Sequence, residues 1–374
     1  MNFTIVVPTY NEAENIKNTI EGLVAEFGKT KDHQGSILVV DDNSPDGTGD
    51  IVKKLQASHK NLYLVSGEKN GLGDAYKRGF AYALDKLKAE AVFEYDADGQ
   101  HSPKFIPHFL EALDGGADVA VGSRYIKGGS IPSEWGFKRK VISYLGNLAC
   151  RIVLLTPQYH DMTTGFRATK ADYLKRINTN WIYKKGFSYK IELYFQLHKL
   201  GAKIKEVPIE FLERDKGESK IAGAEAARSL KVIFTLRYRE WEKFLKVCVV
   251  GGIGMLVDVG FFNLFRLFLP PQVATVFSTE LAIVSNFVIN NIWTFEREKI
   301  PFSNIKLLGS KFLQFNLVSL GSVLIQFVVM TLGVKFLGRG FLVENSLKLV
   351  GILIGLVWNF VMYTKVIWHE DKKS

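Results

Sequence analysis

Residues 94 to 100 read EYDADGQ and follow the short apolar run AVF. Glu94, Asp96 and Asp98 place three carboxylates within five positions. Like charges at that density repel, so cations must sit among them. On an extended backbone alternate side chains share a face, which puts Asp96 and Asp98 on one side. Gly99 frees the turn and Gln100 adds an amide oxygen. Asp96, Asp98 and Gln100 make a hard-oxygen site that suits Mg2+ or Mn2+, with phosphate oxygens completing the coordination. Such a cation, helped by Arg124 in the nearby GSRY, would offset the charge of a diphosphate leaving group. The structural alternative is an acidic turn capping a helix that begins near Pro103; the position after a buried strand favours the cation.

The elements that must hold these residues alternate along the first half. FTIVVP (3–8), SILVVDD (36–42), LYLVS, AVFEY and DVAVGS read as strands. Helix-like stretches separate them at 12–27, 49–58 and 73–87, with one more before DVAVGS. Short apolar strands alternating with helices predict a mostly parallel sheet covered on both faces. Ligands of such sheets bind beyond the C-terminal strand ends. Those ends carry Pro8, Tyr10 and Glu12, then Asp41 and Asp42, then DADGQ, then Arg124. Asp46, before GTGD, reads as a helix cap. A nicotinamide dinucleotide site is excluded because no G-x-G-x-x-G follows the first strand, and NGLGDAYKRG has Tyr76 in place of the third glycine. A Walker A loop is also missing.

The chain has 374 residues and a net charge of +10, compatible with nucleic acid, an anionic substrate or an anionic membrane face. The near-neutral mean hydropathy of +0.05 hides two unlike halves. From Phe244 onward four apolar stretches, Phe244–Phe268, Val273–Trp293, Phe312–Phe336 and Leu347–Trp368, are long enough to cross a bilayer. Basic gaps alternate with poorer ones, so both ends of this half are expected in the cytoplasm. Lys335, Arg339 and Lys348 depart from that alternation. No signal peptide is read at the N-terminus. The chain is therefore expected to be a multi-pass cell-membrane protein with its first half cytoplasmic. Cys150 and Cys248 lie on opposite sides of the boundary, which argues against a disulfide framework. Asp258, Glu280, Asn286, Asn290, Asn291 and Asn316 are polar intrusions in the apolar half. They read either as functional groups or as interhelical hydrogen bonds. VGGIGMLVDVGFFNLF (250–265) and NFVINNIWTF (286–295) resemble GtrA-like membrane domains.

The first half is similar to glycosyltransferase family 2, and within it to the dolichol-phosphate mannose synthase group. The resemblance rests on VVPTYNE, VVDDNSPDGT, YDADGQH, GSRY, DMTTGFRA (161–168), EVPIEF and FLERDKGESK (211–220). It implies a GT-A fold, a metal-dependent inverting mechanism, GDP-mannose as donor and dolichyl or another polyprenyl phosphate as acceptor, with no nucleic acid partner. Carried over by position, Pro8, Tyr10, Glu12 and Asp42 are the nucleoside pocket. Asp96, Asp98 and Gln100 are the metal site, with the Ala97 backbone near the nucleotide. Arg124, Arg214 and Lys220 are phosphate contacts. The segment 128–147 matches the region that receives the lipid phosphate, with Arg139 as the contact, Lys138 as its rival, and Ser143 adding a hydrogen bond. Asp98, Arg124 and Arg139 are thus the expected catalytic set. Arg167 reads either as functional or as the partner of an internal acid such as Asp161. No general base is needed, because a phosphate monoester is already an anion at neutral pH.

The expected organisation is a transferase domain at 1–220, amphipathic interface helices at 221–243 and a four-helix membrane domain at 244–374. The interface stripe includes Leu230, Ile233, Phe234 and Trp241. It is expected to lie on the bilayer and hold the site at headgroup level. Rival readings are a polyprenyl-phosphate glucosyltransferase using UDP-glucose, and a lipid-linked-sugar flippase whose soluble half regulates it. A processive synthase is disfavoured because LRYREW lacks the Q-x-x-R-W pattern.

Overall fold

The computed structural model describes residues 1–30, 32–183, 186–213 and 223–368. The chain divides into two compact units, Met1–Arg237 and Tyr238–Ser374.

In the first unit the described residues form a seven-stranded sheet in the order β3-β2-β1-β4-β6-β5-β7. The strands are β1 (Asn2–Thr9), β2 (Gln34–Asp41), β3 (Leu62–Ser66), β4 (Ala91–Glu94), β5 (Val119–Ser123), β6 (Arg167–Lys170) and β7 (Ile204–Pro208). The five expected strands are all present. All pairings are parallel except those of β6, which runs antiparallel between β4 and β5. Sequence patterning missed β6 because RATK has no apolar run, and β7 because IKEVP is half charged.

Helices α1 (Ile16–Phe27), α2 (Thr48–Gln56), α3 (Leu72–Asp85), α4 (Ile106–Asp114), α5 (Phe137–Val153), α6 (Ala171–Leu174) and α7 (Tyr189–Lys199) complete this unit, together with the start of α8 (Gly223–Phe265). The mostly apolar β1 is explained by two cores. Phe3, Ile5 and Val7 pack with Ile20, Leu23 and Phe109 on one face. Val6 packs with Tyr76, Phe80 and Leu193 on the other. Alternate side chains go to opposite faces, so a strand buried on both sides is mostly apolar, and its buried Thr4 and Thr9 hydroxyls are hydrogen-bonded to Ser36 and Asp41. Asn11 and Asn43 turn the chain at the ends of β1 and β2 with φ of 57° and 51°. Asparagine is among the few residues that adopt this left-handed conformation readily.

The stretch read as an interfacial segment belongs, over its described residues, to α8, which runs unbroken into the first apolar span. Its apolar positions divide. Val232, Ile233 and Leu236 are buried in the first unit's core. Leu230 and Phe234 are exposed.

The second unit contains the rest of α8, α9 (Pro271–Ile289), α10 (Ile305–Leu337) and α11 (Phe341–Met362). Among the described residues four helices are long and apolar enough to cross a membrane: Glu225–Phe265, Pro271–Thr294, Ile305–Leu337 and Phe341–Ile367. Three of the six polar intrusions, Asp258, Asn291 and Asn316, make hydrogen bonds within this unit. Asp258 on α8 accepts hydrogen bonds from the hydroxyls of Ser278 and Thr279 on α9, at 2.6 and 3.3 Å. Asn291 clamps Ile300 by accepting from its backbone N–H at 2.8 Å and donating to its carbonyl at 3.0 Å. It also accepts from the Trp368 indole at 3.0 Å. In a bilayer such groups need internal partners. Glu280, by contrast, is exposed on α9.

Candidate active site at the sheet edge

The register brings the chemistry-bearing residues to one edge of the sheet. Thr9 pairs with Asp41 at the ends of β1 and β2, and Glu94 ends β4. Because β6 runs the other way, its first residue lies at that same edge, and Arg167 stands directly opposite Glu94. The Arg167 Nε is 2.9 Å from Glu94 Oε2, with both side chains buried. Tyr189 donates its hydroxyl to Glu94 Oε1 at 3.0 Å. Arg167 therefore pairs with Glu94 and not with Asp161.

Asp96 has its own internal cation. Lys190, buried on the first turn of α7, places Nζ 2.9 Å from Asp96 Oδ2. His101 Nε2 is 3.4 Å from the same oxygen, and the Tyr76 hydroxyl is 3.4 Å from Oδ1. Burial would raise the pKa of this carboxyl, but Lys190 and His101 outweigh it and hold Asp96 well below the usual carboxylate range. The repulsion implied by EYDAD is thus relieved by residues 73 and 94 positions downstream, Arg167 and Lys190.

Asp98 is half-buried, and its Oδ1 accepts the Gln100 backbone N–H at 3.2 Å across a turn in which Gly99 has φ of 77°. Gln100 is fastened to the 211–212 segment. Leu212 N–H donates to its carbonyl at 2.9 Å, and its own amide nitrogen donates to the Leu212 carbonyl at 3.4 Å. That orientation leaves the amide oxygen as the donor for a cation. Among the described residues no cluster of three or more His, Cys, Asp or Glu could hold a metal. The carboxylate of Asp98 and the amide oxygen of Gln100 are nonetheless hard donors on one turn. They fit Mg2+ or Mn2+ if ligand oxygens supply the remaining positions. Ala97 is buried, and its carbonyl accepts the Thr19 hydroxyl at 3.2 Å.

The expected nucleoside pocket occupies the ends of β1 and β2. Pro8 is buried within β1, and the Tyr10 ring has the Lys69 ammonium 3.2 Å above its centroid. Glu12 accepts the Asn15 amide at 2.8 Å. Asp42 is ion-paired with Arg78; burial pushes its carboxyl above the ordinary pKa despite that partner. Helix α3 joins this pocket to the acidic turn, because it carries both Arg78 and Tyr76. Asp46 accepts the Thr48 backbone N–H and hydroxyl at 3.0 and 2.6 Å from one residue outside the cap position, which Gly47 occupies.

Arg124 is engaged by an acid. Nε and Nη2 donate to the two oxygens of fully buried Asp161 at 2.7 and 2.8 Å, and Nη2 also meets Thr163 Oγ1 at 2.8 Å. Its Nη1 has no such partner among the described residues. Asn147 on α5 donates to the same Thr163 oxygen at 3.2 Å and accepts the Met162 N–H at 2.8 Å. The helix bearing Arg139 and Ser143 is thereby pinned to the loop that orients Arg124. Arg139 lies over the Trp135 ring at 3.9 Å, Lys138 is exposed, and Ser143 accepts the Tyr125 hydroxyl at 2.6 Å.

Phe211 connects these groups. Its ring is 5.2 Å from that of His101 and 5.7 Å from that of Trp135, and the Arg124 guanidinium is 5.1 Å from its centroid. His101, next to the acidic turn, Arg124 and Trp135 therefore each meet one aromatic side chain, and Arg139 reaches it only through Trp135. Arg214 and Lys220 lie outside the described residues. Lys190 and Arg78 were not assigned from sequence, Asp161 was read only as a partner for Arg167, and Phe211 only as the start of a motif. A local signal was a lysine at the start of the helix YKIELYFQLHK, whose first seven residues, Lys190 included, are buried.

Residues 4–183 match the family model for glycosyl transferase family 2, and residues 246–368 match the GtrA/DPMS transmembrane domain. A dolichol-phosphate mannosyltransferase of Pyrococcus furiosus is 33% identical over 383 residues, covering 98% of this chain and 99% of that one. The chain belongs to glycosyl transferase family 2. This glycosyltransferase is also 39% identical over 226 residues to an undecaprenyl-phosphate mannosyltransferase of Micrococcus luteus, covering 60% of this chain and 88% of that one. A polyprenol monophosphomannose synthase of Mycolicibacterium smegmatis is 39% identical over 222 residues, covering 59% and 81% respectively. With its apolar helices and GtrA/DPMS match, this glycosyltransferase is a membrane protein whose transferase half is cytoplasmic.

Proposed function

We propose that this glycosyltransferase moves mannose from GDP-mannose to a polyprenyl phosphate, dolichyl phosphate being the form suggested by the full-length Pyrococcus relative. The observation that carries the reading is that His101, which follows the acidic turn, Arg124 and Trp135 all meet Phe211, with Arg139 stacked on Trp135. An acidic turn with one guanidinium group linked to it through Phe211 and a second further on, beyond Trp135, suits a reaction in which a diphosphate leaves and another phosphate attacks. Tyr10, Glu12 and Asp42, with Pro8, hold the nucleoside. Asp98 and Gln100, backed by Asp96 and the Ala97 backbone, hold Mg2+ or Mn2+. When bound, that cation supplies Lewis-acid stabilisation of the diphosphate. Arg124 meets the donor phosphates through Nη1, because its other nitrogens are engaged. Arg214 and Lys220 are assigned to the phosphates on their motif alone.

Arg139 and Ser143 orient the acceptor phosphate in line with the anomeric carbon. A phosphate oxygen forms the new bond to that carbon as the bond to the diphosphate breaks, inverting the centre. In-line positioning of two bound reactants supplies much of the rate. The acceptor's tail has an apolar surface at hand. Helix α5, which carries Arg139 and Ser143, exposes Phe137, Tyr144, Leu145 and Ile152. Residues 1–220 are assigned to transfer, 221–243 to the bilayer interface and 244–374 to membrane anchorage.

Purified full chain should release GDP from GDP-mannose only when polyprenyl phosphate and Mg2+ or Mn2+ are both present. Nucleotide release from UDP-glucose and not from GDP-mannose would reassign the donor. Release from neither would overturn the reading. Arg139→Ala should raise the KM for polyprenyl phosphate about tenfold, the scale of one lost charge-assisted hydrogen bond. Lys138→Ala should stay within about twofold of the parent chain, a side chain left in solvent contributing little. The opposite ranking, measured by lipid-linked product formation, would move the contact to Lys138.

A further inference from the structure

Lys190 is not explained by transfer chemistry alone. It is 2% exposed, and its ammonium touches the carboxylate of Asp96, at the start of the turn that carries Asp98 and Gln100. A buried ammonium is costly unless a partner offsets it. The backbone makes room for this pairing. A Cβ on Gly165, in the loop before β6, would stand 2.0 Å from Lys190 Nζ and 2.6 Å from Asp96 Oδ2. Only a residue without a side chain lets that ammonium reach that carboxylate. The partner of the second acid is thus set by α7 and Gly165 together.

We propose that Lys190 is a positioning residue that makes divalent-cation binding depend on nucleotide. It fixes the Asp96 carboxylate and cancels its charge. The cation then meets a turn with one less effective negative charge and is held firmly only when a nucleoside diphosphate adds its own. The inference rests on the proposed function, in which Asp98 and Gln100 face the cation. Without Lys190 the same turn attracts a free cation directly, because a unit charge at close range acts strongly in a partly buried site.

The test measures Mn2+ binding to the full chain in detergent by electron paramagnetic resonance, with and without GDP. In the parent chain GDP should strengthen Mn2+ binding markedly. Lys190→Gln should tighten nucleotide-free Mn2+ binding about tenfold and shrink the GDP enhancement by the same factor. Gly165→Ala, which keeps the lysine but pushes its ammonium off Asp96, should shift both values the same way by a smaller factor. It also keeps the test open should Lys190→Gln fail to fold. A residue with only a structural role would not change the ratio of the two affinities. An unchanged GDP enhancement in the folded variants overturns the role given to Lys190. Absence of Mn2+ binding in the parent chain with GDP overturns the metal reading of the proposed function instead.

Discussion

Asp98→Ala is expected to lower sugar transfer to polyprenyl phosphate about 10³-fold, with little change in thermal unfolding. Lewis-acid stabilisation of a leaving diphosphate is worth several kcal/mol, and about 4 kcal/mol corresponds to that factor. Asp96 is poorly placed to substitute, because its Oδ2 is already held by Lys190 at 2.9 Å. The fold should tolerate the change. Asp98 is half-buried, and the 3.2 Å bond from the Gln100 N–H contributes roughly 1 kcal/mol. Extraction of labelled product into organic solvent measures the first effect, and a melting curve in detergent the second. Transfer retained within about tenfold of the parent rate would remove Asp98 from the reaction.

Arg167→Met is expected to cause the largest loss of stability in the transferase unit. Glu94 is 1% exposed and Arg167 is fully buried. Removing one partner of such a pair costs about 3–5 kcal/mol, since the other charge is left uncompensated. Cys150 offers the readout. It is buried on α5, and burial pushes its thiol up to about 12, so it reacts only when the unit opens. Alkylation mapped to Cys150 should accelerate on the order of 10²- to 10³-fold. The defect should depend on pH. Burial lifts the Glu94 pKa above its ordinary value even with Arg167 opposing it, and losing Arg167 lifts it further. A carboxyl whose folded pKa exceeds its unfolded one takes up a proton on folding. The Glu94 contribution to the variant's stability should therefore be fully present below the unfolded carboxyl pKa and be lost as pH rises through the folded pKa of Glu94. Adding Glu94→Gln should recover part of the loss and flatten that dependence. Unchanged Cys150 labelling in Arg167→Met would show that the pair carries no stability.

What sequence alone determined was local. The strands β1 to β5 were legible because each carries a short, mostly apolar run between helix-like stretches. The four spans were legible because hydrocarbon demands length and apolarity. The acidic turn was legible because its donors lie within five positions. Even the resemblance to family 2 was carried by short contiguous motifs.

What the tertiary structure alone decided was which charge meets which. Arg124 and Arg167 each needed a buried acid, and spacing could not say that Asp161 belongs to Arg124 and Glu94 to Arg167. The antiparallel direction of β6 decides it, by setting Arg167 opposite Glu94. Lys190 reaches Asp96 across 94 residues because α7 packs at that edge and Gly165 leaves space. Phe211 became the link between donor and acceptor groups only when β7 delivered it beside His101 and Trp135. Apolar burial depends on the period of one segment and is written along the chain. Ion pairing depends on a distance of about 3 Å between segments far apart in sequence, which only the folded sheet fixes.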